Sequence, residues 1–336
     1  RDISTLQERG HFYLALTRSP NLSNRQFGLN SSTYFFVRKL ALNICLINNY
    51  NYGRFLEQAL LSALNQTKQF DLIIVVDDGS TDGSRIILNE YKARDNVLIL
   101  EKDNGGQLST FNAARHYIPV KSRVYFLDSD DLYPADYLDS TIAALGTDEN
   151  MADFVFCDQH QFSNESQTRG SANGVGSIRT VIYPCTSALT RQYGVWIGNA
   201  TSTLSISGDL FHKLLPCHFE SDWRSRADDV LVYGASIAGV QKTHLHGISI
   251  NYRVHDTNGF FGRDFTIAQR LKHRVVVERL CNWLAMKFGL QVTPPIKSVK
   301  QELKAFPREY LHTSGLLKRR YSLALKFALG HFYKSR

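Results

Sequence analysis

The sequence lacks any apolar run long enough to cross a membrane. Its apolar runs are short, such as LIIVV at 72–76, whereas a transmembrane helix needs about 18–20 consecutive residues. The chain begins RDIST, with neither Met nor a charged segment leading into an apolar one, which indicates a trimmed or mature product. We therefore expect a cytoplasmic protein with at most peripheral membrane contact.

Cysteine is also scarce, and no two cysteines have the spacing of a metal or redox pair. The five cysteines are widely separated and odd in number: Cys45, Cys157, Cys185, Cys217 and Cys281. Zinc or thiol chemistry would call for a C-x-x-C pair. We predict that the five are reduced packing residues.

The charge of the chain is unevenly placed. The formal net charge is +8 over 336 residues, and residues 297–336 alone carry ten Lys and Arg against two Glu. This basic tail is consistent with a solvated helical face, and equally with docking on an anionic membrane or an acidic partner. The 43% of hydrophobic residues is enough for a sizeable core, so the chain is not disordered by composition.

The order of apolar segments predicts an α/β fold. Strand-like runs alternate with helical patterns from Leu42 onward: 42–47, 53–64, 71–76, 82–93, 96–100, 107–117 and 123–127. Continuous Val, Ile and Leu strands favour a mostly parallel sheet covered on both faces, an α/β/α sandwich. We divide the chain into an N-terminal extension (1–40), a main domain (41–256) and a helical basic C-terminal extension (257–336).

The first acidic cluster is VVDDGSTDGS at 75–84. Ser80 or Thr81 could cap the next helix, so an ordinary capped turn is one interpretation. It leaves the adjacent Asp77 and Asp78 unexplained. The alternative is a site at a strand end, where carboxylates accept a uracil imide N–H or ribose hydroxyls.

The second acidic cluster is FLDSDD at 126–131. If the strand continues, Asp128 and Asp130 point to the same side and Ser129 points away. Two carboxylates on one side suit a hard cation such as Mg²⁺ or Mn²⁺, which would also relieve their repulsion. An acidic turn before the next helix is the alternative.

From about Leu42 to His255 the chain resembles the family 2 glycosyltransferases with the GT-A fold. The resemblance rests on four segments in order: INNYNYGRFLEQALLSALNQT, DLIIVVDDGSTD, NGGQLSTFNAA and VYFLDSDDLYPADYL, the last with a D-x-D motif. The family's acidic pair before a helix corresponds to RADDVLVYGASIAG. The resemblance implies a catalytic base there, assigned to Asp229 with Asp228 as the open alternative.

The resemblance also implies the other site residues. Asp128, Asp130 and His255, in YRVHDTN, are the expected metal ligands. The expected nucleotide contacts are Tyr50, Asn51, Asp77, Asp78, Gln107 and Ser129. Asn48 and Asn49 replace the family's usual Pro and small residue, and Asp228 replaces its usual Glu.

The expected function is metal-dependent, inverting transfer of a sugar from a nucleoside-diphosphate sugar, with a UDP-sugar favoured, to an acceptor hydroxyl. A glycan or lipid-linked acceptor in cell-surface glycan synthesis is the expected setting, and no nucleic acid is involved. No Gln-x-x-Arg-Trp follows Asp229, which favours single additions. The alternatives are an inactive nucleotide-sugar-binding relative and a haloacid dehalogenase-type phosphatase using Asp128 as nucleophile.

Overall fold

The computed structural model describes residues 42–146, 152–163, 177–256, 258 and 264–305. The strands are β1 (Leu42–Asn49), β2 (Leu72–Asp77), β3 (Val97–Glu101), β4 (Ser122–Asp128), β5 (Phe154–Phe162), β6 (Arg179–Tyr183), β7 (Leu204–Ser207) and β8 (Lys242–Arg253). The helices are α1 (Gly53–Leu64), α2 (Ser84–Tyr91), α3 (Gln107–Ala114), α4 (Tyr137–Leu145), α5 (Ser187–Tyr193), α6 (Gly208–Leu214), α7 (Asp228–Ile237), α8 (Ile267–Lys287) and α9 (Ile296–Ala305).

The strands form one eight-stranded sheet in the order β3-β2-β1-β4-β7-β5-β8-β6. Strands β1 to β4 are parallel to one another, and β5 is parallel to β8. The short β7 runs antiparallel between β4 and β5, and β6 is an antiparallel edge strand. The prediction of a mostly parallel sheet is confirmed.

Helices cover both faces of the sheet, because alternate side chains of its strands are buried on opposite sides. Ile44 and Leu46 of β1 pack with α3, α6, α7 and α8 on one face. Cys45 and Ile47 pack with α1, α2 and α4 on the other. The predicted three-layer α/β/α architecture is therefore confirmed.

The sequence-based elements up to β4 agree with the structure to within about three residues at each end, but the predicted cap of α2 does not. Helix α2 begins at Ser84, and neither Ser80 nor Thr81 caps it. Asp82 accepts hydrogen bonds from the Ser84 N–H (2.9 Å) and the Gly53 N–H (2.8 Å) instead. The N-cap prediction is wrong because the Ser80 hydroxyl is already bonded to Asp77, at 2.5 Å.

Other predictions concern regions outside the described residues. The N-terminal extension (1–40), the SANGVGS segment up to residue 176 and the basic tail beyond Ala305 lie there. All five cysteines are described and free, and four of them are buried. Among the described residues no helix is long and apolar enough to span a membrane.

Candidate active site

A cavity of about 630 Å³ opens at the carboxyl ends of the parallel strands, where ligands of such sheets bind. Its volume is in the range of small-molecule sites. Six of the predicted site residues line it: Tyr50, Asp78, Gln107, Asp128, Ser129 and Asp130. The other four do not: Asn51, Asp77, Asp229 and His255.

The D-x-D segment forms a tight turn instead of continuing as a strand. Strand β4 ends at Asp128, and the Asp131 N–H donates to the Asp128 carbonyl at 3.0 Å. The turn places Asp128, Ser129 and Asp130 together in the cavity lining. The predicted alternation, with Ser129 pointing away, is wrong because the strand ends at the first Asp.

Asp128 is held by two amide side chains. Its Oδ1 accepts hydrogen bonds from Asn48 Nδ2 and Gln107 Nε2, each at 3.0 Å. Burial, together with the charge of Asp130, raises the pKa of Asp128 to about 7. The carboxylate is thus oriented by neutral donors, with no cation of the protein paired to it among the described residues.

His255 contacts Asp130 from outside the cavity lining. Its Nε2 lies 3.0 Å from Asp130 Oδ2. The imidazole packs on Phe55, with ring centroids 4.9 Å apart. The structure therefore brings His255 to the predicted metal site, where it can orient Asp130 or bind a cation beside it.

Asp131, the third carboxylate of the turn, has a supporting role that the sequence analysis did not assign. It is buried and accepts hydrogen bonds from Ser202 Oγ (2.5 Å) and the Arg253 N–H (2.8 Å). Arg253 also donates from Nε to the Asp130 carbonyl at 2.7 Å. Asp131 thereby anchors the turn to the end of β8.

Asp77 shapes the loop beside the cavity without reaching into it. It is fully buried and accepts hydrogen bonds from Asn49 Nδ2 (2.8 Å) and from Ser80 Oγ and N–H (2.5 and 3.1 Å). Asn51 adopts φ +56, a conformation that Asn tolerates, and its Oδ1 accepts from the Thr81 N–H at 2.8 Å. Both residues position the loop; Asp77 is fully buried whereas Asn51 is exposed, and direct ligand contact by either stays a prediction.

Asp78 lines the cavity and fixes the glycine turn before α3. Its carboxylate accepts from the N–H groups of Gly105 (2.9 Å) and Gly106 (2.6 Å). It also pairs with Lys102 Nζ at 2.6 Å. Gly106 has φ +91, and a Cβ there would lie 2.3 Å from Arg224 Cα, so only glycine fits.

Of the two acidic residues at the start of α7, Asp228 lines the cavity and Asp229 does not. Burial, together with the charge of Asp229, raises the pKa of Asp228 to about 8. Its Oδ1 is buried without a hydrogen-bond partner among the described residues. Asp228 is therefore a carboxyl group of the cavity lining that exchanges its proton near neutral pH.

Asp229 is fully buried against two basic side chains. Its Oδ2 lies 3.0 Å from Arg226 Nη2 and 3.5 Å from His273 Nε2. Arg226 has φ +62, a strained conformation of the kind found at functional sites. The geometry favours Asp228 over the predicted Asp229 as the residue that meets a substrate.

Gln107 joins the two acidic motifs. Its Nε2 donates to Asp128 at 3.0 Å and to Thr201 Oγ1 at 3.3 Å. Its Oε1 accepts from the N–H of Ala227, the residue before Asp228, at 2.8 Å. One side chain therefore links the D-x-D turn to the start of α7.

Several cavity residues had no recognisable signal in the sequence. Gln159, Trp196, Asn199 and Arg224 belong to different elements or loops and line the same cavity. Only the topology brings them together. Asn48 was noted as a departure from the family, and its bond to Asp128 now accounts for it.

Parts of the chain are similar to known proteins. Residues 45–206 match the family described as Glycosyl transferase family 2. An uncharacterized glycosyltransferase of Nostoc sp. is 28% identical over 215 residues, which is 63% of this chain and 65% of that protein. The minor teichoic acid biosynthesis protein GgaB of Bacillus subtilis is 36% identical over 116 residues, 33% of this chain and 11% of that protein. The chain thus spans less than two thirds of these relatives.

The fold also resembles that of S. aureus TarS. The crystal structure of TarS 1-349 in complex with UDP superposes with a TM-score of 0.52 at 17% identity. The match covers 81% of this chain and 72% of that one. At this identity the likeness concerns the fold, and it confirms the predicted fold class.

Proposed function

We propose that the chain transfers a sugar from a nucleoside-diphosphate sugar to an acceptor hydroxyl with inversion at the anomeric carbon, because residues 45–206 match the family described as Glycosyl transferase family 2. The observation that carries this proposal is the joint exposure of Asp128, Asp130 and Asp228 in one cavity. A metal site and a base facing the same space are what a single displacement requires.

The residues at the D-x-D turn fit a divalent cation. Asp128 and Asp130 offer carboxylate oxygens, which Mg²⁺ and Mn²⁺ prefer. Their mutual repulsion contributes to the raised pKa of Asp128, and a bound cation would remove it. Such a cation supplies Lewis-acid stabilisation to the negative charge of the leaving diphosphate. His255, 3.0 Å from Asp130, holds that carboxylate in place or adds a third ligand.

Asp228 is the proposed general base, in place of Asp229. Its carboxylate faces the cavity, and its raised pKa suits removal of a proton from an attacking hydroxyl. Asp229 accepts a hydrogen bond from the Arg226 guanidinium and holds it beside Asp228. One displacement with a base on the acceptor side inverts the sugar carbon without a covalent intermediate.

Tyr50 and Asp78 are the proposed nucleotide contacts of the β1–β2 end of the cavity. Tyr50 is 45% exposed and lines the cavity, so its ring is free to stack on a base. We favour a UDP-sugar because the fold resembles that of a protein crystallised with UDP. Gln107 and Ser129 remain beside the proposed diphosphate position.

The proposed setting is the synthesis of a cell-surface polysaccharide. Its support is the similarity to a Bacillus subtilis protein named for minor teichoic acid biosynthesis. A glycan or lipid-linked acceptor suits that setting. Peripheral membrane contact is part of the same proposal, since Lys297, Lys300 and Lys304 lie on α9.

Calorimetric titration with UDP, GDP and dTDP, each with and without Mn²⁺, tests the proposal. One nucleotide should bind in a metal-dependent way, and Asp130→Ala should weaken that binding at least about tenfold because a ligand is lost. Asp209→Ala is the matched control, since Asp209 is an exposed carboxylate outside the cavity lining. The metal site would be contradicted if the nucleotide affinity were the same with and without Mn²⁺ and the same in the Asp130→Ala protein.

The same titrations separate the alternatives. A phosphatase using Asp128 would not require a nucleoside diphosphate, and the family match already covers both acidic clusters of the first half. An inactive relative would bind the nucleotide but form no product. Incubation with UDP-sugars and NMR assignment of the product anomer then decides between transfer and binding alone.

A further inference from the structure

A second group of metal-binding side chains lies on strands β5 and β8. Asp158, His244 and His246 each offer one ligand atom, and these atoms all lie within 4.8 Å of one another. His244 Nε2 is 2.8 Å from Asp158 Oδ1, and His246 Nδ1 is 3.6 Å from the same oxygen. None of the three lines the cavity of the active site. We call this group the β5–β8 cluster.

A bulge in β8 builds the cluster. Cys157 lies opposite Leu245, but Asp158 lies opposite Ser249, so β8 has three extra residues at this point. Gly247 lies within the bulge with φ +85, which glycine adopts without strain. Its N–H donates to Asp158 Oδ2 at 3.0 Å. The bulge thus turns the backbone toward Asp158 directly after His246.

The donor set selects the kind of metal. Two imidazole nitrogens and one carboxylate oxygen suit Zn²⁺ and its neighbours Co²⁺ and Ni²⁺, whereas Mg²⁺ and Ca²⁺ prefer oxygen. Tetrahedral Zn²⁺ with bonds of about 2.0–2.2 Å places its ligand atoms about 3.4 Å apart. Asp158 Oδ1 lies 2.8 Å from His244 Nε2 and 3.6 Å from His246 Nδ1, distances on either side of that value.

The surroundings limit how a metal would be held. The His244 and His246 ring centroids are 3.6 Å apart, and His244 stacks on Phe156 at 4.4 Å. Arg179 of β6 lies opposite His246. The packing holds the two imidazoles side by side next to Asp158.

We propose that Asp158, His244 and His246 bind a divalent transition metal ion of the Zn²⁺ type, separate from the cation of the D-x-D turn. This ion clamps β8 to β5 at the bulge. The next residue of β5, Gln159, lines the active-site cavity, and β8 continues to Arg253, which supports Asp130 and Asp131. The metal thereby fixes two walls of the active site. This inference does not depend on the proposed transfer reaction.

Cobalt titration of the Asp130→Ala protein tests the site, because that variant removes a ligand of the other cation site. We expect one equivalent of Co²⁺ to bind with visible d–d absorption, and Zn²⁺ to displace it. His246→Ala and Asp158→Asn, each made in that background, should weaken binding at least about 10–100-fold, the loss expected even for an outer-shell partner. His116→Ala, which removes an exposed histidine outside the cluster, should leave binding unchanged.

Two results would overturn the proposal. One is the absence of saturable Co²⁺ binding in the Asp130→Ala protein. The other is unchanged binding in folded His246→Ala and Asp158→Asn proteins, with folding checked by circular dichroism. If both variants fail to fold, X-ray absorption of the Zn²⁺-loaded Asp130→Ala protein decides, because an oxygen-only shell refutes the site and two imidazoles support it.

Discussion

Separate replacement of Asp228 and Asp229 by Asn should give opposite results, although the two residues are adjacent. Asp228 lines the cavity, whereas Asp229 is buried 3.0 Å from Arg226. A positioned general base contributes about 10²–10⁴-fold to the rate. We therefore expect Asp228→Asn to lower kcat by that factor and to leave Mn²⁺-dependent UDP affinity unchanged, because Asn keeps the shape of the cavity wall.

The stability of the two variants provides an independent readout. Asp228 has a pKa of about 8 in the folded protein and about 3.9 when unfolded, so the folded state is progressively destabilised as the pH rises from about 4 to 8. At pH 7 this corresponds to about 4 kcal/mol at most, and solvent in the cavity reduces it to about 1–2 kcal/mol. Asp228→Asn removes this cost and should raise the melting temperature.

Asp229→Asn should change stability less. Burial raises the pKa of Asp229 to about 6, so the replacement removes a buried carboxylate that is costly at neutral pH, but it also leaves the Arg226 guanidinium without its partner. Because these two effects oppose each other, we expect a smaller change in melting temperature than for Asp228→Asn. The replacement also removes the negative charge that raises the pKa of Asp228, so the acidic limb of the rate profile should move to lower pH.

The assay is UDP release from UDP-sugars between pH 6 and 9, combined with thermal unfolding of the same samples. Asp209→Asn serves as the exposed control. The reasoning is refuted if folded Asp229→Asn loses transfer by 10²-fold or more while Asp228→Asn remains active.

Three further outcomes are expected. Since Asp128 has a pKa of about 7, protons compete with Mn²⁺, and the affinity measured by calorimetry should fall about tenfold per pH unit below 7; a flat profile would contradict this. Gln107→Ala should lower both metal-dependent nucleotide affinity and kcat in the same assays, because Gln107 contacts both Asp128 and the start of α7. A loss of only affinity or only kcat would argue against this coupling of the two motifs by Gln107. Gly106→Ala should unfold at a clearly lower temperature than Gly146→Ala, since both have positive φ but only Gly106 has backbone within reach of a Cβ.

The first half of the fold could be predicted because its strands are buried on both faces and therefore continuously apolar. Strands β5 to β8 were not predicted. Of these, β7 has only four residues, and β5 and β8 become polar toward their ends, as in CDQHQF of β5. Antiparallel insertion of β7 between β4 and β5 is a tertiary arrangement that no local pattern reports.

The site was predictable where a residue type is tied to its chemistry, and not where orientation decides. The D-x-D carboxylates could be chosen by type alone. The choice between Asp228 and Asp229 depends on how α7 is rotated against the sheet, which its neighbours set. The role of Asp131 depends on Ser202 and Arg253, which are 71 and 122 residues away in the sequence.

The hydrogen bonds of the site form a continuous path from the nucleotide end to the proposed base. Asp78 fixes the Gly106 N–H, and the turn at Gly106 delivers Gln107 into the cavity. Gln107 then bonds Asp128 through its nitrogen and the Ala227 N–H through its oxygen. An amide side chain has both a donor and an acceptor end, so this residue type can hold a carboxylate and a helix N-terminus at once.

This path constrains the proposed reaction. In a single displacement the leaving diphosphate and the attacking hydroxyl lie on opposite sides of the sugar carbon. The metal ligands therefore have to stand at a set distance from the base. Because Gln107 spans the two motifs, side-chain hydrogen bonds fix the distance between the metal ligands and the base, and the loops alone do not. The identity of the sugar and the acceptor can therefore vary with residues such as Trp196 or Gln159 while the reacting groups stay in position.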